Sequence, residues 1–516
     1  MTDTKSGKTL TLKKKPAQAD AETSGARKRA GARARQVAQL ERKREQQRLA
    51  QAPATPVVPP AKASKARPQR SERSERSAAS AEPARAGRPA PDRPARDTGK
   101  PSRPPEAERD TPREKSVQQA DTDQPRIRTR RRRAATKSEI FPVFMPCPQG
   151  LEEALTAEMQ ALGFDDATPA RAGCRLHADW TGILRANLYS RLATRVLVEV
   201  AHGPVRDEDD ILDLALDTPW ERWFGAEHTL RVDTSAIRSP MHSLQYCNLR
   251  AKDGICDRLR EREGARPDID TVRPDARVHL FLDEDSATLY LDTSGESLFK
   301  RGWRLDKGEA PLRENLAAGL LALSGWDPSA PLMDPFCGSG TILIEAAWIA
   351  LGVPAGIWRP FGFERLRNHD ARHWRDLKEE ARAHIATQLD SPMVGYDLDP
   401  RAVEAAKANL ERAWLTPDSI RFEVGNACDV RPPADYGWLV TNPPYGERMP
   451  AEDMAMWRDW AQNLKQHYDG WQVSIISSDL DLPKRLRLKP LRRYPLHNGA
   501  LDCRLFTFEM VAAGYR

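Results

Sequence analysis

Apolar and polar positions in the second half of the chain follow two periods, one typical of buried strands and one typical of helices. Short apolar runs predict strands at 331–334, 393–397, 420–424, 438–441 and 472–477. Apolar residues spaced three and four apart predict helices at 313–324, 341–351, 401–414 and 454–468. Strands that alternate with helices predict an α/β fold built on a parallel, doubly wound sheet.

The preceding segment, residues 138–296, has shorter and less regular elements. Alternating positions predict strands at 141–145, 175–178, 194–200 and 228–234, and a hairpin at 278–282 and 287–292. Helical spacing predicts helices at 150–162, 181–190, 211–216 and 243–263. This mixture predicts an α+β module that is separate from the parallel sheet, which we expect within residues 297–516.

Residues 1–137 differ from the rest of the chain in composition. They contain fifteen prolines and no Phe, Trp or Tyr. They hold 36 of the 81 Lys and Arg residues and 16 of the 74 Asp and Glu residues, so their net charge is +20 and the remaining residues carry −13. So little apolar surface cannot offset chain entropy, which predicts a disordered tail. Its basic clusters favour contact with a polyanion, but a solubilising tail without a partner fits the same pattern.

Cysteine usage and hydropathy indicate the compartment. All seven cysteines lie after residue 137 and none forms a Cys-x-x-Cys pair. Scattered thiols are typical of a reducing cytosol and predict neither a disulfide framework nor a zinc site. The N-terminus lacks the apolar run of a signal peptide, and no stretch approaches the ~18 apolar residues of a membrane span. We therefore expect a soluble cytoplasmic protein without a bound metal.

The first candidate site is the sequence DPFCGSGT at 334–341, which follows a strand and opens a helix. Gly338 and Gly340 allow a ligand to approach the backbone, and the helix that begins at Thr341 presents free N–H groups. The segment matches neither a Walker loop nor the complete dinucleotide fingerprint. Asp334 would repel a pyrophosphate, whereas it suits a cationic ligand such as a sulfonium with an α-amino group.

Polar residues also follow the next two strands. Asp397 ends the second strand, where a carboxylate can accept hydrogen bonds from both hydroxyls of a ribose, while Asp399 can cap the next helix. The connection to Asp397 is far longer than the ~20 residues of a simple unit, so residues 352–390 are predicted to be an insertion or an extra helix. Asn426 and Asp429 follow the third strand, where they either hold an adenine amino group or form a polar turn.

The fourth strand ends in the sequence Asn442-Pro443-Pro444-Tyr445. Proline has no N–H and a fixed φ, so the chain must leave the sheet in a rigid turn. The turn presents a side-chain amide, backbone carbonyls and an aromatic ring. Acceptors for N–H bonds beside a stacking face suit a flat group that carries an amine, although an ordinary proline-rich turn is the alternative.

Together these strand ends resemble the class I S-adenosylmethionine-dependent methyltransferases that methylate amino or amide nitrogens. A closer resemblance covers roughly residues 140–512 and is to the bacterial 23S ribosomal RNA guanine-N2 methyltransferases that carry a THUMP domain. The motifs that carry it are DPFCGSGTILIEAA at 334–347, NPPYGER at 442–448, NGALDC at 498–503, GLEEAL at 150–155, SRLATR at 190–195, RSPMHSLQYCNLRAKD at 238–253 and SGESLFKRGWR at 294–304.

The resemblance implies a ferredoxin-like segment plus an RNA-binding THUMP domain at 138–296, and a Rossmann-like methyltransferase domain at 297–516. It implies methyl transfer to the exocyclic N2 of a guanine in 23S rRNA, with Asn442, Pro443, Pro444 and Tyr445 around that amino group. The implied cofactor is S-adenosyl-L-methionine, with contacts at Asp334, Phe336, Gly338, Gly340, Thr341, Asp397, Asn426, Asp429 and Asn442. The candidates for RNA contacts are Arg238, Gln245, Arg250 and Lys252.

The chain departs from the family in three respects, and several alternatives stay open. Longer members continue into a second methyltransferase domain before which this chain ends, the family does not explain the basic tail, and Asn426 stands where an acid is common. Asn-Pro-Pro-Tyr also serves enzymes that methylate adenine N6 in DNA or glutamine amides in proteins, and THUMP domains also occur in enzymes for transfer-RNA guanines. A non-catalytic RNA-binding assembly factor is a further alternative, which the complete set of site residues disfavours.

Deleting residues 1–137 tests whether the tail is an RNA arm. We expect weaker binding to rRNA fragments and a shallower dependence of log affinity on log salt concentration, because fewer counterions are released from the RNA. Fluorescence anisotropy over a salt series measures both quantities. Unchanged affinity and slope would show that the tail does not contact RNA.

Overall fold

The computed structural model describes residues 139–306, 312–444 and 454–511. The expected tail, residues 1–137, lies outside these ranges, and so does Tyr445. Within them the chain forms two β-sheets with helices packed against them.

The first sheet is formed by the segment that precedes residue 297. Its strands are β1 (Phe141–Pro146), β2 (Thr168–Ala170), β3 (Gly173–Ala178), β4 (Leu197–Pro204), β5 (Thr229–Ala236), β6 (Asp268–Ile269), β7 (Ala276–Leu282) and β8 (Ser286–Asp292). Their order across the sheet is β2-β3-β1-β4-β8-β7-β5-β6. Because β4 pairs with β1 on one side and with β8 on the other, all eight strands belong to one continuous sheet.

Capping residues and glycines determine where the longest helix of this segment begins and ends and how closely it packs. Ser243 caps the helix α4 (Leu244–Glu263) by accepting the Tyr246 N–H at 3.2 Å, and Gly264 ends the helix in the left-handed conformation. Gly254 lets the helix α3 (Glu208–Asp217) approach α4 closely, since a Cβ there would lie 2.5 Å from the Leu212 carbonyl oxygen. The helices are α1 (Glu152–Ala161), α2 (Trp180–Tyr189), α3 (Glu208–Asp217) and α4 (Leu244–Glu263).

The second sheet confirms the predicted doubly wound α/β fold. Its strands are β9 (Leu332–Asp334), β10 (Met393–Asp397), β11 (Arg421–Val424), β12 (Gly437–Thr441), β13 (Trp471–Ser477), β14 (Arg492–Asn498) and β15 (Leu501–Glu509). The order is β11-β10-β9-β12-β13-β15-β14, with the first five strands parallel and β15 antiparallel to both of its neighbours. The helices are α5 (Glu314–Ser324), α6 (Thr341–Ala350), α7 (Ala371–Ala383), α8 (Pro400–Arg412), α9 (Met454–His467) and α10 (Leu482–Leu486).

Both faces of the second sheet are covered, which explains its nearly continuous apolar strands. Successive residues point to opposite faces. Met333 and Leu439 pack in an apolar cluster with Trp460 of α9, whereas the adjacent residues Leu332 and Val440 belong to the larger cluster on the other face.

The larger cluster joins the first segment to the second sheet. It contains residues from β1, β3, β4, β5, β7 and β8 together with residues from α5, α6 and β15. Leu151 lies against Gly319 of α5, where a Cβ would be 2.4 Å from the Leu151 Cδ1 atom. At the sheet edge the His497 N–H donates to the Gln149 carbonyl at 3.2 Å. The α+β module predicted as separate therefore shares its apolar core with the parallel sheet.

Residues 352–390, predicted to be an insertion or an extra helix, contain α7 and also contact the first segment. The Phe363 N–H donates to the Thr293 carbonyl at 3.0 Å, and the Arg367 N–H donates to the Trp223 carbonyl at 2.8 Å. The Arg367 guanidinium also pairs with two glutamates of the first segment. Residues 352–390 thus tie the first segment to the sheet that follows.

A buried charge cluster lies at the same junction. The side chains of Arg301 and Glu345 have no exposed area, and their Nε and Oε1 atoms are 3.2 Å apart. Arg301 also donates to the carbonyls of Leu298 and Arg191, each at 2.7 Å. The Arg191 guanidinium lies 3.7 Å from Glu345. Because buried charges are tolerated only when paired and hydrogen-bonded, these groups specify how the first segment meets α6.

Replacing Arg301 with Ala leaves the buried Glu345 with only the more distant Arg191. We expect the free energy of unfolding to fall by about 3–5 kcal/mol, as for other buried pairs that lose one partner. Lys300→Ala is the matched control, because it removes an exposed ion pair with Glu296 and is expected to cost less than about 1 kcal/mol. Urea unfolding followed by tryptophan fluorescence measures both, and equal losses would contradict the role of the buried cluster.

Candidate active site

The carboxyl ends of three adjacent parallel strands bring the predicted residues together. In the ladder between β9 and β10, Asp334 is opposite Gly395. In the ladder between β9 and β12, Met333 is opposite Leu439. Asp334, Asp397 and Asn442 therefore lie at one edge of the sheet, where ligands bind in folds of this kind.

Asp334 is the most buried of these polar groups, with 2% of its surface exposed. One carboxylate oxygen accepts a hydrogen bond from the Thr441 hydroxyl at 2.6 Å and another from the Phe336 N–H at 3.1 Å. Burial raises the pKa of Asp334 to about 7, and the nearby Asp397 adds to this rise while the two hydrogen bonds oppose it. Among the described residues Asp334 forms no salt bridge. A cationic ligand could therefore form an ion pair with this carboxylate.

The glycines of the loop after β9 have the conformations that the motif predicts. Gly338 and Gly340 have φ angles of +53° and +81°, which L side chains rarely adopt. A Cβ on Gly340 would lie 2.8 Å from the Phe422 ring, so the residue is needed for packing. A Cβ on Gly338 would meet nothing within 4 Å, so open space lies against this part of the backbone. Thr341 is buried as the first residue of α6.

Asp397 connects the loop to the second strand. One of its carboxylate oxygens accepts the Gly338 N–H at 2.9 Å, and the other accepts the Asp399 N–H at 3.0 Å. Asp399 in turn caps α8 by accepting the Arg401 N–H at 2.9 Å. Asp399 thus caps a helix, whereas Asp397 contacts the glycine loop that follows β9.

Asn426 and Asp429 lie in an exposed turn after β11. The Asn426 side-chain oxygen accepts the Cys428 N–H at 3.0 Å, and its carbonyl accepts the Asp429 N–H at 2.9 Å. These bonds account for the polar turn that the sequence left as an alternative. The amide nitrogen of Asn426 and the carboxylate of Asp429 stay available at the rim, so their contact with an adenine stays a prediction.

Asn442 leaves β12 with its side chain half-buried. Its Oδ1 atom is buried and has no hydrogen-bond partner among the described residues. Pro443 is buried and Pro444 is exposed. An unpaired buried acceptor is costly, so an N–H donor supplied by a ligand would satisfy it. Tyr445, predicted to stack on that ligand, lies outside the described residues.

Two residues at this edge were missed at the level of sequence. Thr441 was counted only as the last residue of the strand, yet its hydroxyl contacts Asp334. Leu398 lies between Asp397 and Asp399 and is 72% exposed, which suits contact with a flat apolar face. The sequence pattern that could have indicated Leu398 is an apolar residue between two acids after a strand. Nothing in the sequence indicated that Thr441 contacts Asp334.

The four candidates for RNA contacts lie on the first segment. Three of them have acidic neighbours: Arg238 is 3.2 Å from Glu284, while Arg250 and Lys252 pair with Asp209 and Asp253. Gln245 is exposed on α4. Their role in RNA binding stays a prediction, and the acidic partners would have to exchange for phosphates.

The described residues contain no group of three His, Cys, Asp or Glu side chains placed to hold a metal ion. The seven cysteines are free thiols. In the same ranges, no helix combines the length and the apolar character needed to cross a membrane.

Three family models match the chain in succession. The RlmL ferredoxin-like domain matches residues 142–197, the THUMP domain matches 205–292, and the RMKL-like methyltransferase domain matches 301–507. The ribosomal RNA large subunit methyltransferase K/L of Syntrophotalea carbinolica is 39% identical over 380 residues, which are 71% of this chain and 53% of that protein. Its counterpart in Pseudomonas aeruginosa is 37% identical over 72% of this chain and 53% of its own length. The chain thus spans about half the length of these relatives.

Solved structures agree with these matches. SMU.472, solved in complex with SAH, is 27% identical with a TM-score of 0.66 and covers 72% of this chain and 98% of its own. A predicted N6-adenine-specific DNA methylase from Listeria monocytogenes is 29% identical with a TM-score of 0.66, over 72% of this chain and 97% of its own. TrmN from Thermus thermophilus, 20% identical with a TM-score of 0.54 over 72% of this chain and all of its own, shares the fold. From these matches and their order, the chain contains an RlmL-type ferredoxin-like domain and a THUMP domain before an RMKL-like methyltransferase domain with a class I methyltransferase fold.

Proposed function

We propose that this protein transfers a methyl group from S-adenosyl-L-methionine to the exocyclic N2 of a guanine in 23S rRNA. The observation that carries the proposal is the unpaired amide oxygen of Asn442 at the edge that also holds the buried Asp334. Among the described residues, the Asn442 oxygen has no N–H donor and the Asp334 carboxylate has no cationic partner. The names of the curated relatives supply the substrate class.

The residues at the sheet edge fit S-adenosylmethionine. Asp334 is buried and has no cationic partner among the described residues, so it suits the positive charges of the cofactor. The open space against Gly338 leaves room beside the loop backbone. Asp397 and the rim residues Asn426 and Asp429 are the candidates for the ribose and the adenine. When bound, the cofactor would supply a methyl group on a sulfonium, and the neutral thioether left after transfer is the leaving group.

The chain's own contribution is to orient the accepting amino group. Guanine N2 is a poor nucleophile because its lone pair is delocalised into the ring. Asn442 Oδ1 and the Pro443 carbonyl can accept its two N–H bonds, which favours pyramidalisation of the nitrogen. The two prolines hold these acceptors rigidly, so their alignment costs little during the reaction. A strong base is not required, since the proton becomes acidic once the methyl is attached.

The first segment would position the RNA. The THUMP strands share a core with the methyltransferase sheet, and the insertion 352–390 ties the two together. An RNA bound to these strands is therefore held at a fixed distance from Asn442, and a guanine within a helix must be extruded to reach it. The net charge of −13 outside residues 1–137 requires local basic patches or the tail to supply the affinity. A protein that acts on rRNA is expected in the cytoplasm.

Asn442→Ala tests the reaction and its substrate together. In a deletion strain we expect N2-methylguanosine to be lost from one position of 23S rRNA, restored by the wild-type gene and not by Asn442→Ala. In vitro, losing the acceptor should lower the methylation rate by about 100-fold or more, with a much smaller change in cofactor affinity. Asn368→Ala, an exposed residue of the insertion, is the control with normal activity.

Mass spectrometry of nucleosides from separated rRNA and tRNA gives the readout. A loss confined to tRNA would replace the proposed substrate with a transfer-RNA guanine. Unchanged nucleosides in both pools would favour a non-catalytic assembly factor. Full activity of Asn442→Ala would contradict the role of that residue.

Asp334→Asn separates cofactor binding from stability. The folded pKa of about 7 lies above the unfolded value of ~3.9, so the stability associated with this carboxyl is complete below pH ~4 and is lost as pH rises to 7. The variant should therefore be more stable than wild type at pH 8 without cofactor, with the gain vanishing near pH 4. Its affinity for S-adenosylmethionine should fall by about 100-fold, as expected for a lost buried ion pair.

Asp327→Asn is the matched control, because Asp327 is exposed in a turn and its pKa is lowered by hydrogen bonds from Ser329. It should show neither the gain at pH 8 nor the loss of affinity. Thermal unfolding from pH 4 to pH 8 and calorimetric titration measure both effects. Unchanged cofactor affinity in Asp334→Asn would contradict the assignment of Asp334.

A further inference from the structure

Thr441 occupies a position between the two halves of the candidate site. It is the last residue of β12 and directly precedes Asn442. Its side chain has no exposed surface, and its hydroxyl donates to Asp334 Oδ1 at 2.6 Å. The bond joins the residue that starts the acceptor turn to the carboxylate at the end of β9.

The backbone ladder does not make this connection. Between β9 and β12 the paired residues are Leu332 with Trp438 and Met333 with Leu439. Thr441 lies two residues beyond the last of these pairs, while on its other side it still pairs with Ile475 of β13. The hydrogen bond between the Thr441 hydroxyl and the Asp334 carboxylate therefore links β9 to β12 beyond the end of their ladder. It lies at the carboxyl ends of the two strands, where the candidate site begins.

The charge of Asp334 depends on the same bond. The titratable groups that face it are Asp397 at the end of β10 and Cys337 in its own loop, and no described basic group contributes to its pKa. Burial and Asp397 favour the protonated carboxyl, whereas the Thr441 hydroxyl and the Phe336 N–H favour the ionised form. The Thr441 hydroxyl is the larger of the two opposing influences.

We propose that Thr441 is a positioning residue that couples the cofactor site to the methyl-acceptor turn, holding Asp334 in its ionised form and Asn442 in its orientation through one hydrogen bond. The inference rests on the proposed function, because it takes S-adenosylmethionine as the cation that Asp334 receives. A bound cation stabilises the ionised carboxylate, which strengthens the bond to the Thr441 hydroxyl. Cofactor binding thereby orders the start of the turn that holds the guanine amino group.

The test compares Thr441→Val, which has the same shape without the donor, with Thr441→Ser, which keeps the donor. Affinity for S-adenosylmethionine is measured by calorimetry from pH 5.5 to pH 9 on the full chain. In the wild type we expect the affinity to fall as the pH drops below about 7, where Asp334 becomes protonated. Thr441→Val should move this midpoint upward by about one pH unit, the effect of a lost hydrogen bond to a charged group. Thr441→Ser should restore the wild-type midpoint.

A second readout separates positioning from cofactor affinity. At saturating cofactor and pH 9, Thr441→Val should lower kcat for rRNA methylation by about tenfold with little change in KM for RNA, because Asn442 loses its orientation after the RNA is bound. Val440→Ala is the structural control, since Val440 is a buried apolar neighbour. It should lower the melting temperature and leave the pH midpoint in place.

Each outcome bears on a different claim. A wild-type protein that does not bind S-adenosylmethionine overturns the proposed function and this inference with it. Binding by the wild type, with the same midpoint and kcat in Thr441→Val, overturns the inference alone. If the Val variant unfolds, Thr441→Ala replaces it, and the same comparison with Thr441→Ser decides.

Discussion

The arrangement of the site depends on one buried carboxylate. Asp334 ends a short central strand at a place where water is excluded and the described residues supply no cation. Such a group is tolerated only through hydrogen bonds, which come from the Thr441 hydroxyl and the Phe336 N–H. These two bonds connect the acid to the strand that leads to Asn442 and to the loop that leads to Gly338. A cation bound at Asp334 would thus affect both the strand that leads to Asn442 and the loop that leads to Gly338.

A second set of buried charges organises the larger structure. Arg301, Glu345 and Arg191 lie where the first segment meets the methyltransferase fold, and the insertion 352–390 adds backbone bonds across the same junction. Catalysis by orientation requires the substrate to be held as firmly as the reacting groups. Under the proposed function, fusion of the two cores would meet this requirement, because an RNA held by the THUMP strands would keep its position relative to the turn at Asn442.

Much of the fold and part of the site were predictable from local patterns. The alternation of apolar runs and helical spacing predicted the doubly wound sheet, since each signal extends over only a few residues. The positions of Gly338 and Gly340 were predictable for the same reason, as was the alternative that Asn426 forms a turn. The acidic partners of Arg238 and Arg250 were not, because Glu284 and Asp209 are distant in sequence and only folding brings them near.

The sequence by itself determined which residues stand at the ends of the strands, because periodicity, proline and glycine act within a few residues of one another. Only the tertiary structure decided which of these ends meet, how deeply each side chain is buried and which partner it finds. Thr441 illustrates the difference, since its hydroxyl acquires a role from a carboxylate 107 positions earlier in the chain. The pKa of Asp334 has the same origin, because burial and the approach of Asp397 arise only when β9, β10 and β12 lie side by side.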